Sequence, residues 1–144
     1  MAYGYKGKGS TIHLITDGSG KPLAIELTSA KGDERKQVEK LIGKIELLLS
    51  TDDIIFLEAD KGYDSKRLRL ELLVKNIYPL IADRGNRDHI GSWVKRVRWK
   101  VERAISWIKR GCRRVATRWE RLAEAYTGIV LVSLCYFWLR KIVG

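Results

Sequence analysis

The segment WVKRVRWKVERAISWIKRGCRRVATRWER, residues Trp93–Arg121, predicts a long basic helix with an isolated carboxylate, Glu102, near its middle. Between Lys95 and Arg121 it carries eleven Lys/Arg against two acids, so +9 of the chain's net charge of +11 lies here. A helix this basic repels itself unless an anionic partner lies against it, and nucleic acid is the commonest partner of that kind. The charge therefore indicates nucleic-acid binding, and it leaves Glu102 unexplained.

The composition is that of a folded protein. Of the 144 residues 45% are apolar, and the length predicts one domain over residues 1–144. The 28 Lys+Arg against 17 Asp+Glu favour nucleic acid over an acidic small molecule, although charge alone also fits a ribosomal or membrane-surface protein. Cys112 and Cys135 have neither CxxC spacing nor a matching His pair, which predicts reduced, structural cysteines in the cytoplasm.

Two end segments argue against secretion and against a membrane protein. The Gly- and Lys-rich start is unlike a signal peptide, which needs a basic tip and an apolar core. The apolar run Ile129–Leu139 is shorter than the roughly 20 residues that a membrane span needs. It predicts a buried C-terminal helix and no membrane partner.

The first half of the chain alternates strand-like and helix-like segments. Two apolar runs flank the turn Asp17–Gly20, and the second alternates in polarity, so a β-hairpin is expected, with His13 on its less buried face. A helix should open at residues 32–34, after which Asp52 and Asp53 interrupt the pattern. The almost continuously apolar run Ile54–Asp60 predicts a strand that is covered on both faces and central in its sheet.

The second half continues this order. Asp64 or Ser65 should cap a helix whose inward face is formed by leucines, namely Leu68, Leu72 and Leu73. Ile77–Ile81 predicts an edge strand because Pro79 interrupts it. A polar loop, 82–91, leads to the basic helix, which Gly111 should end or kink, and a last helix is expected from about Trp119 to Ile142. The order ββαβαβαα predicts an α/β fold in which helices flank a mixed sheet, with a helical C-terminal part.

Two carboxylates stand where chemistry is expected. Asp60 ends the apolar strand, and open α/β sheets place their ligands at that end of their strands. Glu102 follows 42 residues later on the basic helix. Two carboxylates in a basic surround suit divalent cations such as Mg²⁺, which prefer hard oxygen ligands and promote phosphodiester transfer. Each acid alone has a plainer interpretation: Asp60 as a helix cap or ion-pair partner, and Glu102 as the i, i+4 partner of Arg98.

The spacing on the basic helix places three charged residues together. An apolar stripe should face the core; it consists of Val94, Val97, Val101, Ala104, Ile105 and Ile108. Arg98, Glu102 and Lys109 fall beside one another, one step round from that stripe. They are therefore expected to border a cleft, whereas any one of them alone is most simply a surface charge.

Three motifs resemble bacterial and archaeal insertion-sequence transposases of the DDE class. LEADKGYDS, residues Leu57–Ser65, resembles the motif around the second Asp of that family, and the hairpin from Gly9 to Leu23 is similar to the stretch before it. Arg98-x3-Glu102-x6-Lys109 resembles the signature around the family's catalytic Glu. The resemblance covers nearly the whole chain, although Lys95 stands where the signature has a Tyr.

The resemblance implies a ribonuclease-H-like fold and metal-dependent cleavage and strand transfer of transposon-end DNA, with Mg²⁺ or Mn²⁺. It implies that Asp60 and Glu102 are the second and third acids of a catalytic metal triad, and that Lys61, Gly62 and Tyr63 shape the turn beside Asp60. The family's first Asp, on its first central strand, has no counterpart here. The chain is thus expected to be a partial catalytic domain with that strand missing, completed by an upstream transposase polypeptide.

The resemblance also implies partners and a location. Double-stranded DNA, as transposon ends and target, is the expected partner, a homodimer is a compatible assembly, and the location is cytoplasmic and nucleoid-associated. The expected phosphate contacts are Arg98, Lys109, Lys95, Arg103, Arg113, Arg114 and Arg118. The five tryptophans suit base stacking or, at helical spacing, a core. Two alternatives stay open: an inactive truncated transposase that binds DNA as a regulator or remnant, and a nuclease of RNA–DNA hybrids.

Overall fold

The structure, a computed structural model, describes residues 10–29, 35–49, 53–82 and 91–144, and only the backbone is described for residues 35 and 91–97. The strands are β1 (Ser10–Thr16), β2 (Pro22–Ser29), β3 (Ile55–Ala59) and β4 (Ile77–Ile81). The helices are α1 (Arg35–Ile45), α2 (Lys66–Val74), α3 (Gly91–Gly111), α4 (Arg113–Ala116) and α5 (Ala123–Val143), with 3₁₀ turns at Glu46–Leu48 and Lys61–Tyr63. The chain divides into a terminal unit, Met1–Gly32 with Val101–Gly144, and a central unit, Asp33–Lys100.

The hairpin of the terminal unit is confirmed. β1 and β2 pair antiparallel, and Asp17 organises the turn by accepting hydrogen bonds from the Ser19 amide (2.9 Å), the Ser19 hydroxyl (2.7 Å) and the Lys21 amide (2.8 Å). Gly20 has φ of 85°, a conformation that favours glycine. Partial burial raises the pKa of Asp17, but these hydrogen bonds outweigh it and hold the pKa below its ordinary value. Asp17 is therefore a structural turn residue.

The core of the terminal unit joins the hairpin to the helices. Its buried residues are Ile25, Ile108, Val115, Tyr126 and Val130. The predicted core stripe of α3 is confirmed at Ala104 and Ile108, which are 0% and 2% exposed. The Trp138 indole donates to the Pro22 carbonyl oxygen at 2.8 Å, so α5 is tied to β2 as well as packed on it.

Two predictions for this unit are wrong. His13 is 2% exposed rather than on the open face, because the Thr28 hydroxyl lies 2.9 Å from its Nε2 and supplies the partner that a buried imidazole needs. The last helix begins at Ala123, not Trp119, and it is not a buried helix. Only 17% of its most apolar 18-residue stretch is buried. By length and composition alone, this helix is sufficient to cross a membrane.

The central unit packs two helices against one face of a two-stranded parallel sheet. β3 and β4 pair in register from Ile55–Ile77 to Ala59–Ile81. The core beneath them consists of Val38, Ile42, Leu68, Leu72, Ile77 and Ile81. Between α2 and β4, Asn76 has φ of 57°, the left-handed conformation that commonly follows a helix end. The predicted edge strand and the helix cap by Ser65, which accepts from the Leu68 amide at 3.1 Å, are confirmed.

The predicted single mixed sheet is wrong for the part of the chain that the structure describes. The strands there form two separate pairs, β1–β2 and β3–β4. β3 is also not covered on both faces, since Phe56 is 60% exposed, and Leu73 of α2 is 45% exposed rather than inward. An apolar run predicts a strand, but the elements that pack on it decide which faces are covered. The α/β class and the helical C-terminal part are confirmed.

Candidate active site and nucleic-acid interface

Asp60 lies immediately after β3, at the carboxyl end of the parallel pair. Its Oδ1 accepts a hydrogen bond from the Lys61 amide at 2.7 Å and caps the 3₁₀ turn Lys61–Tyr63, and its carbonyl oxygen accepts from the Tyr63 amide at 3.0 Å. The side chain is exposed, and its Oδ2 has no hydrogen-bond partner among the described residues. Asp60 is thus a cap, one of its plainer interpretations, and its side chain is exposed.

A charged pair fixes the segment after Asp60 to the end of β4. The Arg69 guanidinium lies 2.8 Å from Asp64 Oδ1 and donates to the carbonyl oxygen of Ile81 at 2.7 Å. Both Arg69 and Asp64 are partly buried, so this contact is shielded from solvent more than a surface pair. The sequence did not single out Arg69. The only sequence feature that points to it is its position as a basic residue one turn after the capping Ser65.

Glu102 and Lys109 lie together, as their helical spacing predicts. Both are exposed, and both line a shallow concavity of about 320 Å³ in the terminal unit. Its other described lining residues are Ile105, Ser106, Arg110 and Ala116. Ser106 and Arg110 were missed by sequence reasoning, although their spacing of four and eight residues from Glu102 places them on the same helix side. Arg98 is exposed on α3 but is not among the described lining residues.

Two of the expected phosphate-binding arginines contact the rest of the terminal unit. Arg103 donates from Nη2 to the Ser19 carbonyl oxygen at 2.7 Å, and its guanidinium lies 4.6 Å from the centre of the Trp107 ring. Arg118 donates to the Ser10 hydroxyl at 2.6 Å and lies 5.0 Å from the centre of the Tyr126 ring. Both guanidinium groups therefore join the hairpin to the helical part.

The other predicted contacts differ in their surroundings. Arg114 lies 3.6 Å from Glu120, in an ion pair whose arginine is largely exposed. Lys109 and Arg113 are exposed on α3 and α4. The side chain of Lys95 lies outside the described residues. The cations that point outward are thus concentrated where α3 ends and α4 begins.

A divalent cation suits the chemistry of Asp60 and Glu102, because exposed carboxylates are the hard oxygen donors that Mg²⁺ and Mn²⁺ take. Asp60 belongs to the central unit and Glu102 to the terminal unit. Within residues 10–29, 35–49, 53–82 and 91–144, no group of three or more His, Cys, Asp or Glu side chains is placed to hold a metal ion. The described residues thus offer two suitable carboxylates and no preassembled three-ligand cluster.

Comparison with known proteins shows where this chain belongs. It is 35% identical over 134 residues to a Burkholderia cepacia protein named "Putative transposase for insertion sequence element IS402". The match covers 88% of this chain, which spans 61% of the length of that relative. No solved structure matches. A sequence model of the family described as "Transposase DDE domain" matches residues 2–138, nearly the full chain. The chain belongs to the family of transposase DDE domains.

Proposed function

We propose that this chain acts in DNA transposition, as part of an insertion-sequence transposase that cleaves transposon-end DNA and transfers its strand. Membership of the transposase DDE domain family over residues 2–138 is the observation that carries the proposal. The finer features that go with it are a ribonuclease-H-like arrangement of the complete domain and dependence on a divalent metal ion. The basic segment 95–121 supports DNA as the substrate, because its charge needs an anionic partner.

The catalytic roles fall to the two exposed carboxylates. Asp60 and Glu102 would hold Mg²⁺ or Mn²⁺, and the bound metal ions would supply activation of the attacking oxygen and stabilisation of the leaving oxygen. Lys61, Gly62 and Tyr63 hold Asp60 at the strand end through the capped turn. Lys109, beside Glu102, would take a DNA phosphate, and Arg98 would do so on the preceding turns of α3.

The proposed partners are double-stranded DNA, an upstream transposase polypeptide that supplies the first acid, and a second copy in a homodimer. The proposed location is the cytoplasm, in association with the nucleoid, because the substrate is there. DNA binding should come mainly from Lys and Arg contacts to phosphates, with Arg113 and Arg114 extending the contact beyond Lys109.

The decisive experiment is metal-dependent nicking. The chain, together with the polypeptide encoded immediately upstream of it, is incubated with labelled transposon-end DNA and Mg²⁺ or Mn²⁺. Asp60→Asn and Glu102→Gln should each lower the nicking rate by about three orders of magnitude or more, since each removes a carboxylate ligand from the metal chemistry. Glu124→Gln, at an exposed acid on α5, is the matched control and should nick normally.

The alternative is a protein that binds transposon ends without cutting them, as a regulator or remnant. The +9 charge of residues 95–121 favours it, because DNA binding by this segment requires neither carboxylate. Binding that survives both Asp60→Asn and Glu102→Gln, with no nicking under any metal condition by the wild-type protein and its upstream partner, would establish the alternative and contradict the proposed enzyme.

A further inference from the structure

The terminal unit contains a second and larger concavity, of about 900 Å³, between the end of α3 and the C-terminal half of α5. Its volume is in the range typical of small-ligand sites, roughly 300–1,000 Å³. Arg110 borders both this groove and the smaller concavity beside Glu102. None of the roles proposed above for Asp60, Glu102 or Lys109 uses this groove, which we call the α3–α5 groove.

Aromatic rings form one side of the α3–α5 groove. Trp107 and Phe137 are stacked, with centroids 5.6 Å apart and an interplanar angle of 18°. Tyr136 is 46% exposed and packs on Gly111, where an added Cβ would lie 3.7 Å from the ring. Phe137 also meets Trp138 edge-on at 5.8 Å, so the rings support one another. Because packing already holds these rings in place, they offer a ligand a flat apolar surface, and little side-chain entropy is lost when the ligand binds.

Cations surround these rings. Arg110, Arg140 and Lys141 line the α3–α5 groove, and the Arg140 guanidinium lies 6.0 Å from the centre of the Tyr136 ring. No acidic side chain occurs among the described lining residues. The partial negative charge at the end of α5, about half an elementary charge, is outweighed by Arg140 and Lys141 in its last turn. The α3–α5 groove therefore favours a ligand that is both flat and anionic.

We propose that the α3–α5 groove binds an unpaired nucleotide of single-stranded DNA, with its base against Tyr136 and its phosphates on Arg110, Arg140 and Lys141. Stacking on an aromatic ring combined with cations that track the backbone is how proteins bind single strands without sequence preference. Bases within a duplex are stacked on one another and cannot lie on Tyr136, so a frayed or displaced strand is the ligand. The choice of DNA rests on the proposed function.

A second copy of the chain fits this groove less well. Each copy carries a net charge of +11, and the rim of the α3–α5 groove is itself cationic, so copies meeting here would repel each other. An anionic partner would instead be attracted to the α3–α5 groove by the same charges.

The test measures binding of the full chain, without metal, to a labelled single strand of about eight nucleotides, within the usual site size. A strand of equal length lacking its bases provides the comparison, because it keeps the phosphates and removes stacking. The intact strand should bind about tenfold or more tightly than the abasic strand. Tyr136→Ser should remove that preference and Tyr136→Phe should keep it. Tyr78→Ser, at a half-exposed tyrosine on β4, is the matched control and should keep it too.

A second variant covers the case in which Tyr136→Ser fails to fold. Arg140→Gln changes an exposed position, and it should weaken binding of the intact strand and lower the salt slope by about one unit. Lys66→Gln, at an exposed position on α2, should do neither. An equal affinity of wild-type protein for intact and abasic strands overturns the proposal. So does an unchanged salt slope in Arg140→Gln, or a Tyr136→Ser variant that alters only self-association in sedimentation.

The result is separate from that of the nicking assay. Asp60→Asn should lose nicking and yet bind the single strand normally, because Asp60 is not among the described lining residues of the α3–α5 groove. Base-dependent binding without any nicking by the wild type would refute the proposed catalytic function and leave the α3–α5 groove as a nucleotide site.

Discussion

Arg103 and Arg113 belong to the same basic segment, but they differ in what surrounds them. Arg103 is half-buried, donates to the Ser19 carbonyl oxygen at 2.7 Å and stacks on Trp107. Arg113 is exposed on the short helix α4. Arg118 is exposed but, like Arg103, it contacts the hairpin and an aromatic ring, at Ser10 and Tyr126, whereas Lys109 resembles Arg113. The segment thus contains two kinds of cation. We call inward-facing those that contact the hairpin and hold it to the helices, and outward-facing those that are exposed without such contacts.

This difference shows that net charge does not measure the size of a nucleic-acid surface. A guanidinium that satisfies a backbone carbonyl and an aromatic ring contributes to folding, and its charge is only partly available to DNA. An exposed cation without such contacts costs little to hold in the folded state and is available to a phosphate. The inward and outward groups should therefore respond in opposite ways to mutation.

The largest expected effect concerns DNA affinity and the outward-facing cations. A triple variant, Lys109→Ala with Arg110→Ala and Arg113→Ala, should reduce the slope of log affinity against log salt by about three units, because about one unit is lost per phosphate contact. Filter binding or anisotropy between low and moderate salt measures the slope. The free energy of unfolding should stay almost unchanged. A slope equal to that of the wild type would remove these residues from the DNA surface.

The next effect concerns stability and an inward-facing cation. Arg103→Ala should lower the free energy of unfolding by about 2 kcal/mol, since it removes a charged hydrogen bond to Ser19 and the contact with Trp107. Urea unfolding followed by circular dichroism measures it. Lys109→Ala is the matched control and should change stability by less than about 0.5 kcal/mol. If the two variants were equally stable, the distinction between inward and outward cations would be lost.

A smaller effect is expected at the ring that Arg118 covers. Tyr126→Phe should lower the free energy of unfolding by about 1 kcal/mol, because the buried Tyr126 hydroxyl donates to the Val115 carbonyl oxygen at 2.9 Å. Tyr136→Phe, at an exposed ring, should have no effect on stability. A loss in both variants would mean that the hydroxyl contact is not the cause.

Tyr126 also gives a pH dependence with a definite sign. Burial raises the pKa of Tyr126, and the nearby Arg118 only partly opposes it. Because the folded-state pKa is the higher one, the contribution of Tyr126 is complete below its ordinary value of 10.0 and is lost as the pH rises through the folded-state pKa. Alkaline unfolding should therefore be less steep in Tyr126→Phe than in the wild type.

The smallest effect is expected at the hairpin turn, whose Ser19 carbonyl oxygen accepts the hydrogen bond from Arg103. Asp17→Asn should lower the free energy of unfolding by about 0.5 kcal/mol at neutral pH, since the charge assists the hydrogen bonds from Ser19 and Lys21. The pKa of Asp17 is below its ordinary value of 3.8, so this contribution is present above that value and lost as the pH falls through the lower folded-state pKa. Asp53→Asn, at an exposed acid, is the matched control and should leave the free energy of unfolding almost unchanged at neutral pH.

Much of the local structure was predictable because neighbouring residues decide it. The hairpin follows from an Asp-Gly turn between alternating strands, the cap of α2 from Ser65, and the end of α3 from Gly111. The burial of His13 was not predictable, since it depends on Thr28 across the hairpin. The open face of β3, with Phe56 exposed, depends on which elements pack against it.

The candidate site divides in the same way. Helical spacing alone places Glu102 near Lys109, and the structure puts both on one concavity. Spacing does not reveal Arg69, which ties Asp64 to the end of β4, or the α3–α5 groove, whose rings and cations come from two helices distant in sequence.

The sequence by itself determined the concentration of basic charge, the two carboxylates and the family motifs, because charge, residue type and short spacing are properties of the chain. Only the tertiary structure decided which cations face outward. Arg103 is directed inward by a carbonyl oxygen and a ring, and the carbonyl belongs to a hairpin far away in the sequence. The surroundings of a cation depend on long-range packing, and the residues next to it in the sequence do not reveal that packing.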